Sequence, residues 1–226
     1  MIESYVFESE SIFTPNFTFS YHRSKCPVHT ETLGNIILKE GAKILKQFPE
    51  EGDNKDWLTS KLWKYNLFDW DYAEIKQLKE FVREQYISLM AEIGREPEKT
   101  YIQCWANILN DPKRCIIPHH HADGHATDIR RIRLGEAKGV PQKYSYLSGN
   151  LCVETYNTNT YFRNPFLDRE FVPIKNVNGE MIMFPSFITH WTDYNQNPQP
   201  RITISFDIIK EEFYKLIDGK NYRELT

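Results

Sequence analysis

Four of the seven histidines fall within seven residues, in Pro118-His119-His120-His121-Ala122-Asp123-Gly124-His125. Imidazole and carboxylate groups this close together suit a divalent metal ion. On an extended segment residues i and i+2 share a face, so His121 and Asp123 can point at one ion. His119 and His121 share a face by the same rule, which leaves His119 open as an alternative first ligand. One imidazole and one carboxylate are two corners of a facial triad that needs one more histidine. His190 is the candidate, near a strand end in Phe184-Pro185-Ser186-Phe187-Ile188-Thr189-His190-Trp191. A lone histidine among apolar neighbours is more commonly a core residue with a satisfied hydrogen bond, so the other groups must decide.

Eleven residues after His190 comes Arg201-Ile202-Thr203. Arg201 and Thr203 occupy the polar face of an otherwise apolar strand. An inward-facing arginine needs an anionic partner, because an unpaired buried charge is costly. A guanidinium fork beside a hydroxyl suits the distal carboxylate of a dicarboxylate ligand. The competing reading is a plain salt bridge to Asp207 or another acid.

The elements that must hold these groups fall into two halves. The first 98 residues carry the clearest helices. One is expected over Tyr72–Ile93, opened by an Asp71/Glu74 capping box and stopped by Gly94 and Pro97, with Ile75, Leu78, Val82, Leu89 and Ile93 in one stripe. A shorter one is expected over Thr32–Phe48. From Tyr101 the period changes to two. Strands are expected at Tyr101–Leu109, Gly149–Tyr156, Glu180–Phe184, Phe187–Trp191 and Arg201–Ile209, with a short helix over Lys210–Ile217. Asn178-Gly179 reads as a two-residue hairpin. Short strands with helices to one side predict a mainly β sandwich or distorted barrel backed by N-terminal helices. No helices separate the later strands, which argues against a parallel α/β fold.

Composition narrows the function. A chain of 226 residues supports one domain. Its formal net charge of −3 argues against a nucleic-acid partner. No apolar run approaches the ~20 residues of a membrane helix, and the acidic start lacks a signal layout. Cys26, Cys104, Cys115 and Cys152 form no CxxC pair, so they are expected as free thiols in a reducing cytoplasm. The oligomeric state is not legible.

Trp105-Ala106-Asn107, Pro118-His119-His120-His121, Leu147-Ser148-Gly149, Gly179–Trp191 and Arg201–Phe206 together resemble the 2-oxoglutarate/Fe(II) oxygenase superfamily. More narrowly they resemble a group common in marine phage genomes, with a WxN…HxH…SG…Y run followed by FPS…H…R-I-S. The resemblance spans roughly residues 100–209. It implies a double-stranded β-helix (jelly-roll, cupin-like) core over 99–209 between a helical layer (1–98) and a C-terminal helix or tail (210–226). It also implies Fe(II), 2-oxoglutarate and O₂, and a hydroxylase that releases succinate and CO₂. Carried over by residue, the iron ligands are His121, Asp123 and His190, with His119 the alternative suggested by the HxH pattern. Arg201, Thr203 and Asn107 would bind the cosubstrate, and Asn107 and Trp105 would line the pocket. If phage-encoded, the enzyme would work in the host cytoplasm.

A stretch of about twenty residues, His125–Tyr144, departs from the group's pattern. Arg130, Arg131, Arg133, Lys138 and Lys143 outnumber Asp128 and Glu136 there. It reads either as a solvated surface loop or as a lid for an acidic or phosphate-bearing substrate. The substrate itself stays open among small molecules, nucleotides and protein side chains. Two rival readings remain: a cupin-like metalloenzyme without 2-oxoglutarate, and a non-enzymatic jelly-roll binding protein.

Overall fold

Alternating side chains sort the strands into two faces. The computed structural model describes residues 1–9, 11–47, 65–122, 145–215 and 221–226. In Arg201–Lys210 (β9), Ile202, Ile204, Phe206 and Ile208 enter the core beneath the helices, while Arg201, Thr203 and Ser205 line a cavity on the other side. Strand β9 lies between Thr100–Leu109 (β3) and Leu147–Glu154 (β4). The register sets Asn107 opposite Thr203, Trp105 opposite Ser205, and Ser148 opposite Asp207. Residues far apart in sequence thus share one polar surface, because side chains two apart on each strand face the same way.

Ile2–Phe7 (β1), Phe17–Lys25 (β2), Glu180–Pro185 (β7) and Arg223–Glu224 (β10) complete the large antiparallel sheet, in the order β1-β2-β7-β4-β9-β3-β10. Asn159–Arg163 (β5), Phe171–Lys175 (β6) and His190–Thr192 (β8) form a small sheet in the order β6-β5-β8. Helices Thr30–Gln47 (α1) and Ala73–Glu92 (α2) cover one face of the large sheet. Leu33, Ile37, Ile75, Leu78, Val82 and Tyr86 pack there with Ile102, Leu151, Ile204 and Ile208. Phe7, Phe19, Phe162, Ile174, Ile182, Phe184 and Ile188 form a second core between the sheets. Strand β7 serves both cores, with Met181 and Met183 toward the helices and Ile182 and Phe184 between the sheets. Each such buried side chain contributes roughly 1.5–3 kcal/mol of transfer free energy.

Several sequence expectations need correction. Residues 1–98 are not a purely helical layer, since β1 and β2 join the large sheet through β7. Their signal was the alternation of Phe17, Phe19 and Tyr21 with Thr18, Ser20 and His22. The sheets therefore draw on strands outside 99–209. Asp71 does not cap α2; it pairs with Lys76 at 2.6 Å, and the N-cap residue Tyr72 makes no side-chain capping bond. The stop at Gly94 is as expected, with a left-handed φ of 70°. Asn178-Gly179 forms a turn, but not a hairpin, because it carries the chain from β6 in one sheet to β7 in the other. Phe187–Thr189 are turn and coil rather than strand, so β8 begins only at His190. The C-terminal helix shrinks to Glu211–Tyr214 among the described residues. The basic stretch at 125–144 lies outside the described residues. No described helix is long and apolar enough to cross a membrane, and all four cysteines are free.

Gly149 shows how tightly β4 and β9 meet. A Cβ there would lie 2.7 Å from Cε1 of Phe206 and closer still to Cε2 and Cζ. Phe206 is itself buried and cannot swing away. Gly149→Ala is expected to destabilise the protein by about 1–3 kcal/mol through overpacking. Urea unfolding checks this: a lowered midpoint is expected, and an unshifted one would show that the ring has room to move.

Candidate metal centre and cosubstrate cavity

Backbone hydrogen bonds stitch the histidine-rich segment to the turn before β8. The amide of His119 donates to the His190 carbonyl at 3.1 Å and the amide of His190 to the His119 carbonyl at 2.9 Å. The amide of His121 donates to the Ser186 carbonyl at 2.9 Å. Three imidazoles are thereby gathered. Ring centroids are 4.4 Å apart for His119 and His190, 4.9 Å for His119 and His121, and 5.2 Å for His121 and His190. One nitrogen from each lies within 4.8 Å of the others.

The remaining nitrogens are tied down. His119 Nδ1 bonds the Ile117 carbonyl at 2.8 Å, and His190 Nδ1 the Ile188 carbonyl at 3.0 Å. His121 Nδ1 lies 2.7 Å from both carboxylate oxygens of Asp207. Carbonyl and carboxylate oxygens only accept, so each Nδ1 carries a hydrogen, and in the neutral ring Nε2 is the atom that can donate to a metal. Burial, reinforced by the neighbouring histidines, pushes His190 well below its ordinary pKa and keeps it neutral. The Nε2 of His121 is buried and has no hydrogen-bond partner among the described residues. A buried polar atom in this condition fits the donor role of a metal ligand.

Arg201 is a second such case. It is 1 % exposed. Its Nε donates to Thr158 Oγ1 at 3.3 Å, but Nη1 and Nη2 are buried without a partner among the described residues. Desolvation lowers its pKa, yet a guanidinium remains a cation at neutral pH. Asn107 Nδ2 donates to Thr203 Oγ1 at 3.3 Å and to Ser205 Oγ at 2.8 Å, and its Oδ1 accepts from Trp105 Nε1 at 3.2 Å. The Trp105 indole stacks on His121, centroids 5.8 Å apart. Trp105, Asn107, the three imidazoles, Arg201 and Thr203 all line one cavity of about 410 Å³, within the usual size range of small-ligand sites.

The salt bridge read from sequence between Arg201 and Asp207 does not form. Asp207 is bound instead by His121 and by Ser148 Oγ at 2.6 Å. Asp123 lies outside the described residues. The structure brings His119 and His121 to the cavity together, where the sequence reading had weighed them as alternatives. Two contacts were missed. Asp207 carried a signal, since it is six residues from Arg201 on the same face of β9. Thr158 carried none; it lies between β4 and β5, where the turn with positive φ at Tyr156 and Asn157 brings it to Arg201.

These groups fit the chemistry of a non-haem iron site. Neutral imidazole nitrogens with open positions suit a divalent transition metal, and an orphaned guanidinium suits a carboxylate. Residues 103–207, which include every side chain of the site named above, match the sequence model of the family described as "Putative 2OG-Fe(II) oxygenase". No curated protein matches the sequence. Among solved structures, the non-haem α-ketoglutarate-dependent carbocyclase SnoK from nogalamycin biosynthesis shares 11 % identity over 91 % of this chain and 92 % of its own, with a TM-score of 0.52. The epimerase SnoN, in complex with Fe³⁺, α-ketoglutarate and nogalamycin RO, shares 11 % identity over 91 % and 90 % with a TM-score of 0.50. The non-haem monooxygenase ThoJ, as its nickel complex, shares 11 % identity over 84 % and 73 %, also with a TM-score of 0.50. At such identities the likeness speaks for the fold, a double-stranded β-helix backed by helices. Over residues 103–207 the chain matches the 2-oxoglutarate/Fe(II)-dependent oxygenases. It is a dioxygenase that uses Fe(II), 2-oxoglutarate and O₂, which sets aside both rival readings of the sequence.

Proposed function

We propose that His119, His121 and His190 hold the ferrous ion, that Arg201 and Thr203 grip the far carboxylate of 2-oxoglutarate, and that the enzyme hydroxylates its substrate. The observation that carries this reading is that three imidazoles and a guanidinium whose two Nη atoms have no partner among the described residues open into the same cavity. Bound iron would supply the oxidation, coupling conversion of 2-oxoglutarate to succinate and CO₂ to insertion of oxygen into a C–H bond. The chain's own residues position the reactants. Asn107 donates to the Thr203 hydroxyl, which leaves that hydroxyl's proton for the cosubstrate carboxylate. Trp105 walls the cavity beside His121. Burial of Arg201 excludes the water that would compete for it.

The cavity must hold the cosubstrate as well, so it takes only a compact reacting group: a small molecule, a nucleotide, or one side chain of a protein. SnoN, with its bound nogalamycin RO, is an example of small-molecule use on this fold. The helices and both sheets share contiguous cores, which supports one domain over 1–226. Free cysteines suit a reducing cytoplasm.

The test uses the purified protein with Fe(II), 2-oxoglutarate and O₂, reading succinate, together with metal titration of Asp123→Ala. If three imidazoles suffice, Asp123→Ala binds metal within a few-fold of the parent and still forms succinate. Loss of both would return the ligand set to His121, Asp123 and His190.

A further inference from the structure

The imidazoles of the site are oriented unequally. His119 and His190 lean on backbone carbonyls, which carry no formal charge and which side-chain substitution leaves in place. His121 leans on a side chain, the Asp207 carboxylate, with both oxygens 2.7 Å from its Nδ1. That carboxylate is buried and anchored. Ser148 Oγ donates to it at 2.6 Å, Ser186 Oγ lies 2.8 Å from Ser148 Oγ, and Ser145 Oγ lies 2.7 Å from Ser186 Oγ. The three serines come from β4, from the segment just before it, and from the turn after β7. The same turn receives the His121 amide on the Ser186 carbonyl. One hydroxyl chain therefore ties the carboxylate to the backbone that holds the ring.

We propose that Asp207 is a positioning residue of the metal centre, fixing the tautomer and orientation of His121 and supplying the negative charge that three neutral imidazoles lack. The proposal rests on the reading that His121 is a metal ligand. In a facial triad the carboxylate binds the metal directly. Here a carboxylate stands one imidazole away, where it raises the donor strength of Nε2 without occupying a coordination position. A carboxylate cannot donate, so it holds the hydrogen on Nδ1 and aims the Nε2 lone pair into the cavity, where that atom has no hydrogen-bond partner among the described residues. Arg201 cannot neutralise Asp207, since it lies six residues along β9 with its Nη atoms unpaired.

The rival account makes Asp207 a purely structural group, and metal affinity separates the two. Asp207→Asn keeps an acceptor of the same shape for the ring N–H and removes the charge; Asp207→Leu removes both. Mn(II) binding to the metal-stripped chain is measured by calorimetry, with His121→Ala as reference and thermal unfolding as the check on folding. The dissociation constant is expected to rise roughly 10-fold in Asp207→Asn and up to about 100-fold in Asp207→Leu, the range found for partners behind a metal-bound histidine. The Co(II) absorption spectrum is expected to shift in Asp207→Asn, which a purely structural role would not cause. Parental affinity and spectrum in a folded Asp207→Asn, with His121→Ala weakened, overturn the proposal and leave the site reading intact. Parental affinity in His121→Ala instead sinks the site reading on which the proposal stands. If the Asp207 variants do not fold, Ser148→Ala decides: it loosens the carboxylate without touching the ring, several-fold weaker Mn(II) binding is expected, and unchanged binding overturns the proposal.

Discussion

Arg201→Met is expected to weaken 2-oxoglutarate binding by two to three orders of magnitude while the ligand-free protein keeps or gains thermal stability. The two effects have one cause. Arg201 is buried, and neither Nη atom has a partner among the described residues. A buried cation without an anion works against folding, and an apolar side chain of similar length removes that cost. Binding of a dicarboxylate supplies the missing anion. Two hydrogen bonds to a charged group contribute about 1.5–3 kcal/mol each, and each 1.4 kcal/mol is roughly tenfold in affinity. The lower end of that range already gives the two orders expected. Calorimetric titration and a melting curve on the same sample check both halves. Unchanged affinity would place the anchor elsewhere. A large fall in melting temperature would mean that Arg201 has a structural partner in the ligand-free state.

His190→Ala is expected to weaken metal binding by more than 100-fold and to abolish succinate formation. His190 is central to the cluster. Its ring is the nearest neighbour of His119, its backbone pairs with His119 in both directions, and burial keeps it neutral. The loss should exceed the roughly 10–100-fold typical of a group that acts only through a ligand. Alanine also leaves a hole, because the ring packs against Phe162 and Phe184 at centroid distances of 5.9 and 4.8 Å. His190→Gln fills most of that volume and separates the causes. Metal loss in a glutamine variant of normal stability marks a ligand, whereas parental metal affinity in both variants would remove His190 from the set.

Much of the site was legible because strand periodicity needs no tertiary knowledge. A period of two puts Arg201, Thr203 and Asp207 on one face of β9, and Trp105 and Asn107 on one face of β3. The length of β9 and its alternation followed from the residues themselves, as did α2 with its glycine stop. What failed was pairing. The Asn178-Gly179 turn is a property of two residues, but whether the strands around it pair depends on which sheet each joins, and long-range packing settles that. The Asp71 cap failed because the helix opens one residue later, with Tyr72 at the N-cap, and the Asp71 carboxylate pairs with Lys76. The N-terminal strands were passed over because their short alternation gains stability only when β7 is present to receive β2.

The amino-acid sequence by itself determined which groups could do chemistry here: a histidine cluster at 119–121, one distant histidine, and an arginine and hydroxyl on a single strand face. Only the tertiary structure decided the partners. It gave Asp207 to His121 instead of to Arg201, brought Thr158 to the Arg201 Nε from the turn between β4 and β5, and left the two Nη atoms without a partner among the described residues. The physical reason is that facing direction is local, set by backbone geometry within each strand. Pairing depends on distance across the fold, and no spacing along the chain encodes that distance.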